Sequence, residues 1–226
     1  MLNTLPTLYK YVLIAIAIYV IAMFFLYSFQ RSFIFLPLKE EITIPVFLKK
    51  KIKIIPYTVN GKQFIGHYVP PEKKDGNVII YFHGNAHHAG SRLGDITTVL
   101  NHGDGFFMPG YPGYGANEGE PSKALFLEAA QSAVHALMNQ KNIQEENIIF
   151  AGESLGTGVA TDMAMHFKNA KALILKSPYK TLGDAAQYHY PIFPAKMLVK
   201  DNFEIYPIIN KISMPLIIVH GEKDTV

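Results

Sequence analysis

The sequence of 226 residues contains no cysteine, which excludes disulfides, thiolate metal sites and a cysteine nucleophile. Charge is also sparse, because Asp, Glu, Lys and Arg make up 17% of the residues and the formal net charge is +3. Apart from one short lysine run there is no basic patch, so nucleic acid is not predicted as a partner. Although His87 and His88 are adjacent, no H-E-x-x-H pattern or matching acidic spacing accompanies them. We therefore predict neither a metal nor a cofactor.

Hydrophobic residues are abundant by contrast, at 49% of the chain. The longest uncharged run includes the 19 residues from Tyr11 to Phe29 and is bracketed by Lys10 and Arg31. As a helix these residues are about 28 Å long, close to the ~30 Å hydrocarbon core of a bilayer. The run predicts an N-terminal membrane anchor over residues 1–30, followed by a linker over residues 31–49, and makes the lipid bilayer an expected partner.

Two alternatives to the anchor are a cleavable signal peptide and a buried core helix. The run is long for a signal peptide and no small-x-small cleavage site follows it, whereas a core helix is not usually hydrophobic on every face. More basic residues follow the run than precede it, which favours a cytoplasmic C-terminal domain. Glu40, Glu41 and the distance of the lysine cluster leave the side of the membrane open.

The remaining residues, 50–226, alternate between predicted strands and helices, which indicates one α/β domain with a mostly parallel sheet. Asn60-Gly61 between Lys50–Pro56 and Gln63–Val69 predicts a β-hairpin. The apolar run Asn77–Phe82 is typical of a central parallel strand. Ser122 to Asn139 predicts a helix with a serine cap.

Two stretches of this domain depart from regular patterns. Phe107-Met108-Pro109-Gly110 places a proline in a predicted central strand, which we expect to end early or to bulge. Residues 179–210 are rich in aromatic residues and proline, and we expect an irregular, cap-like segment there.

The stretch Gly152-Glu153-Ser154-Leu155-Gly156 lies between a predicted strand, Asn147–Ala151, and a predicted helix, Thr157–Met165. Strand, G-x-S-x-G and helix in this order are typical of a nucleophile elbow, in which a sharp turn exposes the serine hydroxyl. Gly152 and Gly156 are expected because the turn leaves no room for a Cβ atom. We expect Ser154 to be the only serine in such a conformation, with φ near the left-handed helical region. The alternative is an ordinary serine in a glycine-rich turn.

A second turn of the same kind follows the strand Asn77–Phe82, at His83-Gly84-Asn85-Ala86. A chain that turns sharply beside the elbow offers a backbone N–H to an oxyanion. We therefore expect the His83-Gly84-Asn85 turn to lie next to Ser154.

The sequence resembles the α/β-hydrolase family in four stretches. They are His83-Gly84-Asn85, Tyr111-Pro112-Gly113-Tyr114-Gly115, the elbow at Gly152 to Gly156, and His220-Gly221-Glu222-Lys223-Asp224 after the strand Leu216–Val219. The anchor followed by residues 29–37 is similar to a membrane-anchored branch that is related to serine aminopeptidases and monoglyceride lipases. The resemblance implies an α/β-hydrolase fold over residues 50–226.

The resemblance also implies roles for individual residues. Ser154 is expected to be the nucleophile and Asp224 the acid that orients a catalytic histidine, while the backbone N–H groups of Asn85 and Leu155 form the oxyanion hole. Gly84, Gly152 and Gly156 shape the two turns. Such a site forms an acyl-enzyme with a small acyl substrate. The aromatic segment from Tyr179 to Tyr206 then either holds an acyl chain or packs over the sheet.

One feature of the family pattern is not found. The family places its histidine on a loop after one more strand, whereas this sequence runs to Val226, so we expect the last strand and helix to be missing. On that expectation Ser154 lacks its base, catalysis is poor, and labelling by a fluorophosphonate is weak or absent. For each remaining histidine near the motifs we expect a structural or solvent-exposed role: His83, His87, His88, His102 and His220.

The leading hypothesis is a membrane-anchored serine hydrolase that cleaves an ester, a thioester or a lipid acyl bond. A serine aminopeptidase-like peptidase on the same scaffold is an alternative. A catalytically silent, truncated homologue that acts as a membrane-bound binding module is another. Reactivity of Ser154 separates the enzymes from the silent homologue, and ester against amide turnover separates the first two.

Overall fold

The N-terminal hydrophobic run forms one long helix, α1 (Thr7–Ile34), in the computed structural model, which describes residues 6–39, 44, 48–85 and 96–222. Its 28 residues correspond to a length of about 42 Å. Helix α1 is long and apolar enough to cross a membrane, and its most apolar 18-residue stretch is not buried against protein. The helix continues to Ile34, four residues into the segment that the sequence predicts as a linker.

The domain that follows is built on one seven-stranded sheet with the order β1-β2-β4-β3-β5-β6-β7. Strands β3 to β7 pair in parallel, while β1 and β2 pair antiparallel with each other and β2 pairs antiparallel with β4. Their bounds are β1 (Lys53–Val59), β2 (Lys62–Val69), β3 (Val78–Phe82), β4 (Gly105–Pro109), β5 (Ile148–Glu153), β6 (Ala172–Lys176) and β7 (Leu216–Val219).

Helices cover both faces of this sheet. Helix α3 packs against β1, and α4 packs against β3, β5 and β6, whereas Ile96 of α2 belongs to a separate buried cluster with Phe106 and Met108 of β4. Their bounds are α2 (Ile96–Asn101), α3 (Lys123–Lys141) and α4 (Leu155–His166). Side chains alternate between the two faces along β3, as Ile80 joins the larger cluster and Ile79 packs against the smaller one.

The local patterns predicted the hairpin and the capped helix. Asn60 and Gly61 have φ angles of 50° and 76°, as a two-residue hairpin turn requires, and they connect β1 to β2. Strand β1 begins three residues later than predicted. It tolerates Pro56 because it is an edge strand. Ser122 caps α3, since its hydroxyl accepts a hydrogen bond from the N–H of Leu125 at 3.3 Å.

Strand β4 ends at Pro109, as the proline led us to expect. Its parallel pairing with β3 extends only to Phe107, whereas its antiparallel pairing with β2 continues to Pro109 opposite Gly66. Pro109, which has no N–H to donate, therefore lies beyond the residues of β4 that pair with β3.

The cap-like segment is more regular than predicted. It contains α5 (Leu182–His189) and α6 (Ala195–Leu198), so the expectation of an irregular segment over 179–210 was wrong. Thr181 caps α5 by accepting the N–H of Asp184 at 3.0 Å, and the Lys196 ammonium of α6 binds the Asp184 carboxylate at 2.6 Å. The ion pair joins residues of separate helices, so aromatic content and proline spacing alone did not reveal it, whereas the Thr181 cap is a local contact within α5 that the sequence analysis did not use.

Candidate active site

Ser154 occupies the single residue between the end of β5 and the start of α4. Its backbone has φ 49° and ψ −120°, a conformation that costs a non-glycine residue on the order of 1–3 kcal/mol. The φ angle agrees with the expected left-handed value, but ψ is far from the roughly +47° of that region. Although Ser154 is the N-cap residue, its side chain makes no capping hydrogen bond. The hydroxyl therefore remains available for chemistry.

Ser154 is not the only serine with a positive φ, but the second one among the described residues is not part of an elbow. Ser177 has φ 50° and lies at the end of β6, where its N–H donates to the carbonyl of Val219 at 2.7 Å. No helix begins directly after it, because Pro178 follows and α5 starts only at Leu182. Ser177 therefore has the strained φ without the strand–helix elbow.

Gly152 and Gly156 are required by the close approach of β5, α4 and β3. A Cβ atom at Gly152 would lie 2.4 Å from the carbonyl oxygen of Gly156, and one at Gly156 would lie 2.0 Å from the carbonyl oxygen of Phe82. Both obstacles are backbone atoms, which cannot rotate away as a side chain can. The two glycines thus allow the elbow to close against the end of β3.

The turn after β3 lies beside the elbow. A Cβ atom at Gly84 would be 3.4 Å from the Cβ of Ser154, and Asn85, Ser154 and Leu155 line one cavity of about 570 Å³. Among the hydrogen bonds that join described residues, neither the backbone N–H of Asn85 nor that of Leu155 donates one. Among the described residues these two N–H groups thus have no hydrogen-bond acceptor, and the two residues that carry them line the cavity that holds the serine.

Two buried tyrosines hold this turn in place. The hydroxyl of Tyr111 donates to the carbonyl of His83 at 3.1 Å, and that of Tyr114 donates to the carbonyl of Asn85 at 2.7 Å. Burial raises the pKa of Tyr111 and of Tyr114 above the ordinary tyrosine value, so both remain protonated donors. The His83 ring packs on Tyr111 with ring centroids 4.3 Å apart. The tyrosines of the Tyr111 to Gly115 motif thus position the neighbouring turn, and His83 is part of that packing.

The same turn is bonded to the end of α1. The side-chain amide of Asn85 donates to the carbonyl of Ile34 at 3.2 Å, and the N–H of Leu36 donates to the carbonyl of Asn85 at 3.2 Å. The first residues after the predicted anchor therefore touch the candidate oxyanion loop, a contact between residues about 50 positions apart that no sequence pattern indicated.

The cavity has one polar wall and one apolar wall. We define the polar wall as Asn85, Ser154, Leu155 and Tyr179, which come from the sheet and the elbow. The hydroxyl of Tyr179 donates to the carbonyl of Leu155 at 3.3 Å. The apolar wall consists of side chains from α1 and α5, namely Phe33, Ile34, Leu182, Ala185 and Ala186.

Sequence reasoning missed two polar residues at this site. His189, in the last turn of α5, lines the cavity, but its location could not be inferred while the cap was predicted to be irregular. Glu153 is buried, accepts a hydrogen bond from Tyr81 and pairs with Lys176 at 3.2 Å. Its position within the G-x-S-x-G motif is the only signal the sequence contained for it.

The remaining predicted site residues are not all within the described part of the chain. Asp224, His87 and His88 lie outside it. Among the hydrogen bonds between described residues, none involves the Oγ of Ser154. Within the described ranges, no group of three or more histidine and carboxylate side chains is arranged to hold a metal ion.

A mostly parallel sheet with a strained serine between β5 and α4 defines the α/β-hydrolase fold. Solved structures share it: the chain superposes on an α/β hydrolase from Vibrio vulnificus with a TM-score of 0.67 at 19% identity, covering 80% of this chain and 70% of that one. An esterase from Pyrococcus furiosus superposes with a TM-score of 0.65 at 16% identity, covering 84% and 79%.

Comparison of sequences agrees with the fold, although no family model matches the chain. An uncharacterized protein of Mycobacterium tuberculosis is 28% identical over 204 residues, which are 89% of this chain and 72% of that protein. The α/β hydrolase domain-containing protein 17C of Xenopus tropicalis is 32% identical over 151 residues, 66% of this chain and 46% of that protein. The chain therefore has the α/β-hydrolase fold, and part of its sequence is similar to a protein named for an α/β-hydrolase domain.

Proposed function

We propose that this protein is a membrane-anchored serine hydrolase that cleaves an ester, a thioester or a lipid acyl bond through an acyl-enzyme on Ser154. The observation that carries the proposal is the strained backbone of Ser154, at φ 49°, in one cavity with Asn85 and Leu155. Strain of this kind persists where the surrounding structure enforces it, and it concentrates at functional sites.

The chemistry follows from this geometry. The Oγ of Ser154 attacks the acyl carbonyl carbon while a base removes its proton, and the N–H groups of Asn85 and Leu155 stabilise the oxyanion. The N-terminus of α4 adds a favourable dipole for that negative charge. The carbon–oxygen or carbon–sulfur bond then breaks, the leaving group takes the proton, and water releases the acid from the serine. In this proposal Asp224 orients the imidazole that serves as the base.

The apolar wall favours an acyl substrate over a peptide. An aminopeptidase needs a negative group to bind the substrate's terminal amine, and among the described residues that line the cavity there is no aspartate or glutamate. Alkyl and aromatic side chains such as Phe33 and Ala186 instead suit a hydrocarbon chain. Helix α1, the proposed anchor, places this wall next to a bilayer.

Covalent labelling of the full chain by a fluorophosphonate, mapped by mass spectrometry, tests this function. We expect slow labelling at Ser154, because no imidazole among the described residues hydrogen-bonds to its Oγ. The Ser154→Ala variant should not be labelled. Ser177→Ala is the matched control, since Ser177 has the same positive φ without the elbow, and its labelling should match that of the unchanged chain.

The outcome that contradicts the proposal is a folded, membrane-bound chain that is not labelled at Ser154, or equal labelling of the Ser154→Ala variant. His189→Gln then tests which group is the base. Loss of labelling in this variant identifies the cap histidine, and unchanged labelling points to an imidazole elsewhere.

A further inference from the structure

Next to the Ser154 cavity lies a second opening that runs along α1. We call this opening the lateral groove; it lies between α1 and the cap helices α5 and α6. Four residues line both spaces, which are therefore adjacent: Phe33, Ile34, Ala186 and Tyr190. From Phe33 the groove extends towards the N-terminus of α1 as far as Leu26, a distance of about 10 Å along the helix.

The lateral groove is apolar even where a polar residue borders it. Gln30 is buried, but its amide group is fully occupied by the backbone of the cap. Its Nε2 donates to the carbonyl of Leu198 at 3.1 Å, and its Oε1 accepts the N–H of Lys200 at 2.7 Å. The other lining residues present hydrocarbon and aromatic surface, including Leu26, Phe193 and Ala195.

Two contacts hold α1 against the cap along this groove. At one end the ring of Tyr19 stacks on Phe193 with centroids 5.3 Å apart, and the Tyr19 hydroxyl donates to the carbonyl of Ile192 at 2.9 Å. At the other end the guanidinium of Arg31 binds the buried carboxylate of Asp201 at 2.7 Å. These two joints lie about 18 Å apart along α1. The groove therefore lies between α1 and a cap that these two contacts hold against it.

The cap next to the groove exposes large apolar side chains. Ile192 is 77% and Met197 86% exposed, although both lie on the segment that packs against α1. Tyr19, which contacts Ile192, is near the middle of the uncharged run of α1. A helix that enters a bilayer at this run brings the cap residues to the same depth, where apolar side chains are favoured.

From these observations we infer that the substrate is an acyl ester lipid of the protein's own bilayer, whose acyl chain enters sideways through the lateral groove. Helix α1 is then one wall of the substrate site as well as the anchor. The chain lies between α1 and the cap, and its ester carbonyl reaches Ser154. This inference rests on the proposed function, because it assigns the substrate of the same serine.

The test uses the full chain in phosphatidylcholine vesicles and two probes, hexadecyl and ethyl fluorophosphonate. Serine attack on either probe forms the oxygen–phosphorus bond and expels fluoride, so the two probes differ only in the chain that must be accommodated. Ala195 lines the lateral groove but not the Ser154 cavity. We expect Ala195→Phe to slow labelling by the hexadecyl probe about tenfold, the effect of excluding roughly two methylene groups from an apolar site. Labelling by the ethyl probe should not change.

Met197→Phe is the matched control, because it adds the same ring to the same short helix at an exposed position outside the groove. Equal effects of Ala195→Phe on both probes, or no effect on either, would overturn the inference. Failure of the unchanged chain to react with either probe would overturn the proposed function itself, and the two failures are thereby distinguished.

A second measurement does not depend on any variant. A hexadecyl fluorophosphonate with a diazirine at the end of its chain is allowed to react with Ser154 in vesicles and is then photolysed. We expect the crosslink on α1 between Leu26 and Phe33, or on the facing residues of α6. Crosslinks confined to α4 and the sheet would show that the chain lies elsewhere, and the lateral groove would be excluded as the entry.

Discussion

The two walls of the Ser154 cavity are built in different ways. The polar wall depends on backbone geometry: the φ of Ser154, the space left by Gly152 and Gly156, and the N–H groups beside them. The apolar wall depends on side-chain contacts between segments that are far apart in the chain, such as Arg31 with Asp201 and Tyr19 with Ile192, separated by 170 and 173 positions. Local motifs therefore encode the polar wall, whereas the apolar wall exists only when α1 and the cap are docked.

Because the two walls are built differently, we expect mutations in each wall to affect the protein in different ways. Damage to the polar wall acts through steric conflict and should affect the whole fold, because β3, β5 and α4 meet there. Damage to the apolar wall should loosen the joint between α1 and the cap while the sheet remains intact.

Removal of α1 should have the largest effect. The full chain is expected to stay with membranes after a high-salt wash, because ions do not displace an apolar helix from lipid, and deletion of residues 1–30 should release it. The deletion also uncovers the face of the cap that Tyr19 and Gln30 contact, so the released protein should require detergent to stay monomeric. Fractionation followed by size-exclusion chromatography measures both effects, and a full chain in the salt-soluble fraction would refute the anchor.

Gly156→Ala should strongly destabilise the domain through the polar wall. The added methyl group would lie 2.0 Å from the Phe82 carbonyl oxygen, and overpacking against backbone costs on the order of 3 kcal/mol or more. Gly115→Ala is a suitable control, since no atom lies within 4 Å of its Cβ position and only its φ of 56° is unfavourable, at about 1 kcal/mol. Thermal unfolding in detergent, followed by circular dichroism, compares the two, and equal losses would argue against the close contact of elbow and β3.

Arg31→Ala should weaken the apolar wall more modestly. Among the described residues, it leaves the buried Asp201 carboxylate with the N–H of Lys123, 2.9 Å away, as its one remaining hydrogen-bond donor, and loss of a charged partner costs about 1–3 kcal/mol. Limited proteolysis should show earlier cleavage in the cap than in the sheet. The exposed pair of Lys62 and Glu118, 3.9 Å apart, provides the comparison. Lys62→Ala is expected to change the free energy of unfolding by less than ~0.5 kcal/mol. A similar loss from both variants would mean that the buried pair of Arg31 with Asp201 contributes no more than an exposed pair.

The smallest effect concerns the pH dependence of the cap. Hydrogen bonds from the Lys196 ammonium and the Thr181 hydroxyl lower the pKa of Asp184. The carboxyl binds a proton less readily in the folded protein than in the unfolded chain. Its contribution to the free energy of unfolding is therefore complete above the ordinary aspartate pKa, and it is lost as the pH falls through the lowered pKa of the folded state. Asp184→Asn should therefore reduce the melting temperature at neutral pH and have no effect in strong acid. A difference in melting temperature between Asp184→Asn and the unchanged chain that persists in strong acid would contradict this assignment.

The sequence predicted local features of the molecule better than contacts between distant segments. The Asn60-Gly61 hairpin, the Ser122 cap and the elbow at Ser154 each depend on a few adjacent residues, and all three are found at or near the predicted positions. Positive φ at Ser177 was missed because nothing around it resembles an elbow, although the chain also turns sharply at the end of β6.

The apolar wall could not have been predicted in this way. Helices α5 and α6 are stabilised by contacts such as the pair of Lys196 with Asp184, and their side chains meet α1 across most of the chain length. His189 becomes a residue of the cavity only through that docking. Hydrophobic periodicity reports which residues avoid water, but it does not report which distant segment covers them.

The carboxylate of Asp201 has a consequence for how the protein moves. It binds the guanidinium of Arg31 in α1 and the first N–H of α3, so one buried side chain of the cap holds α1 and α3 together at a single point. A catalytic domain on a loose tether tumbles above the bilayer and meets its surface in many orientations. In the membrane-anchored enzyme that we propose, this fixed attachment would keep Ser154 at one height above the bilayer and facing one direction, and the search for substrate would be reduced to two-dimensional diffusion in the plane of the membrane.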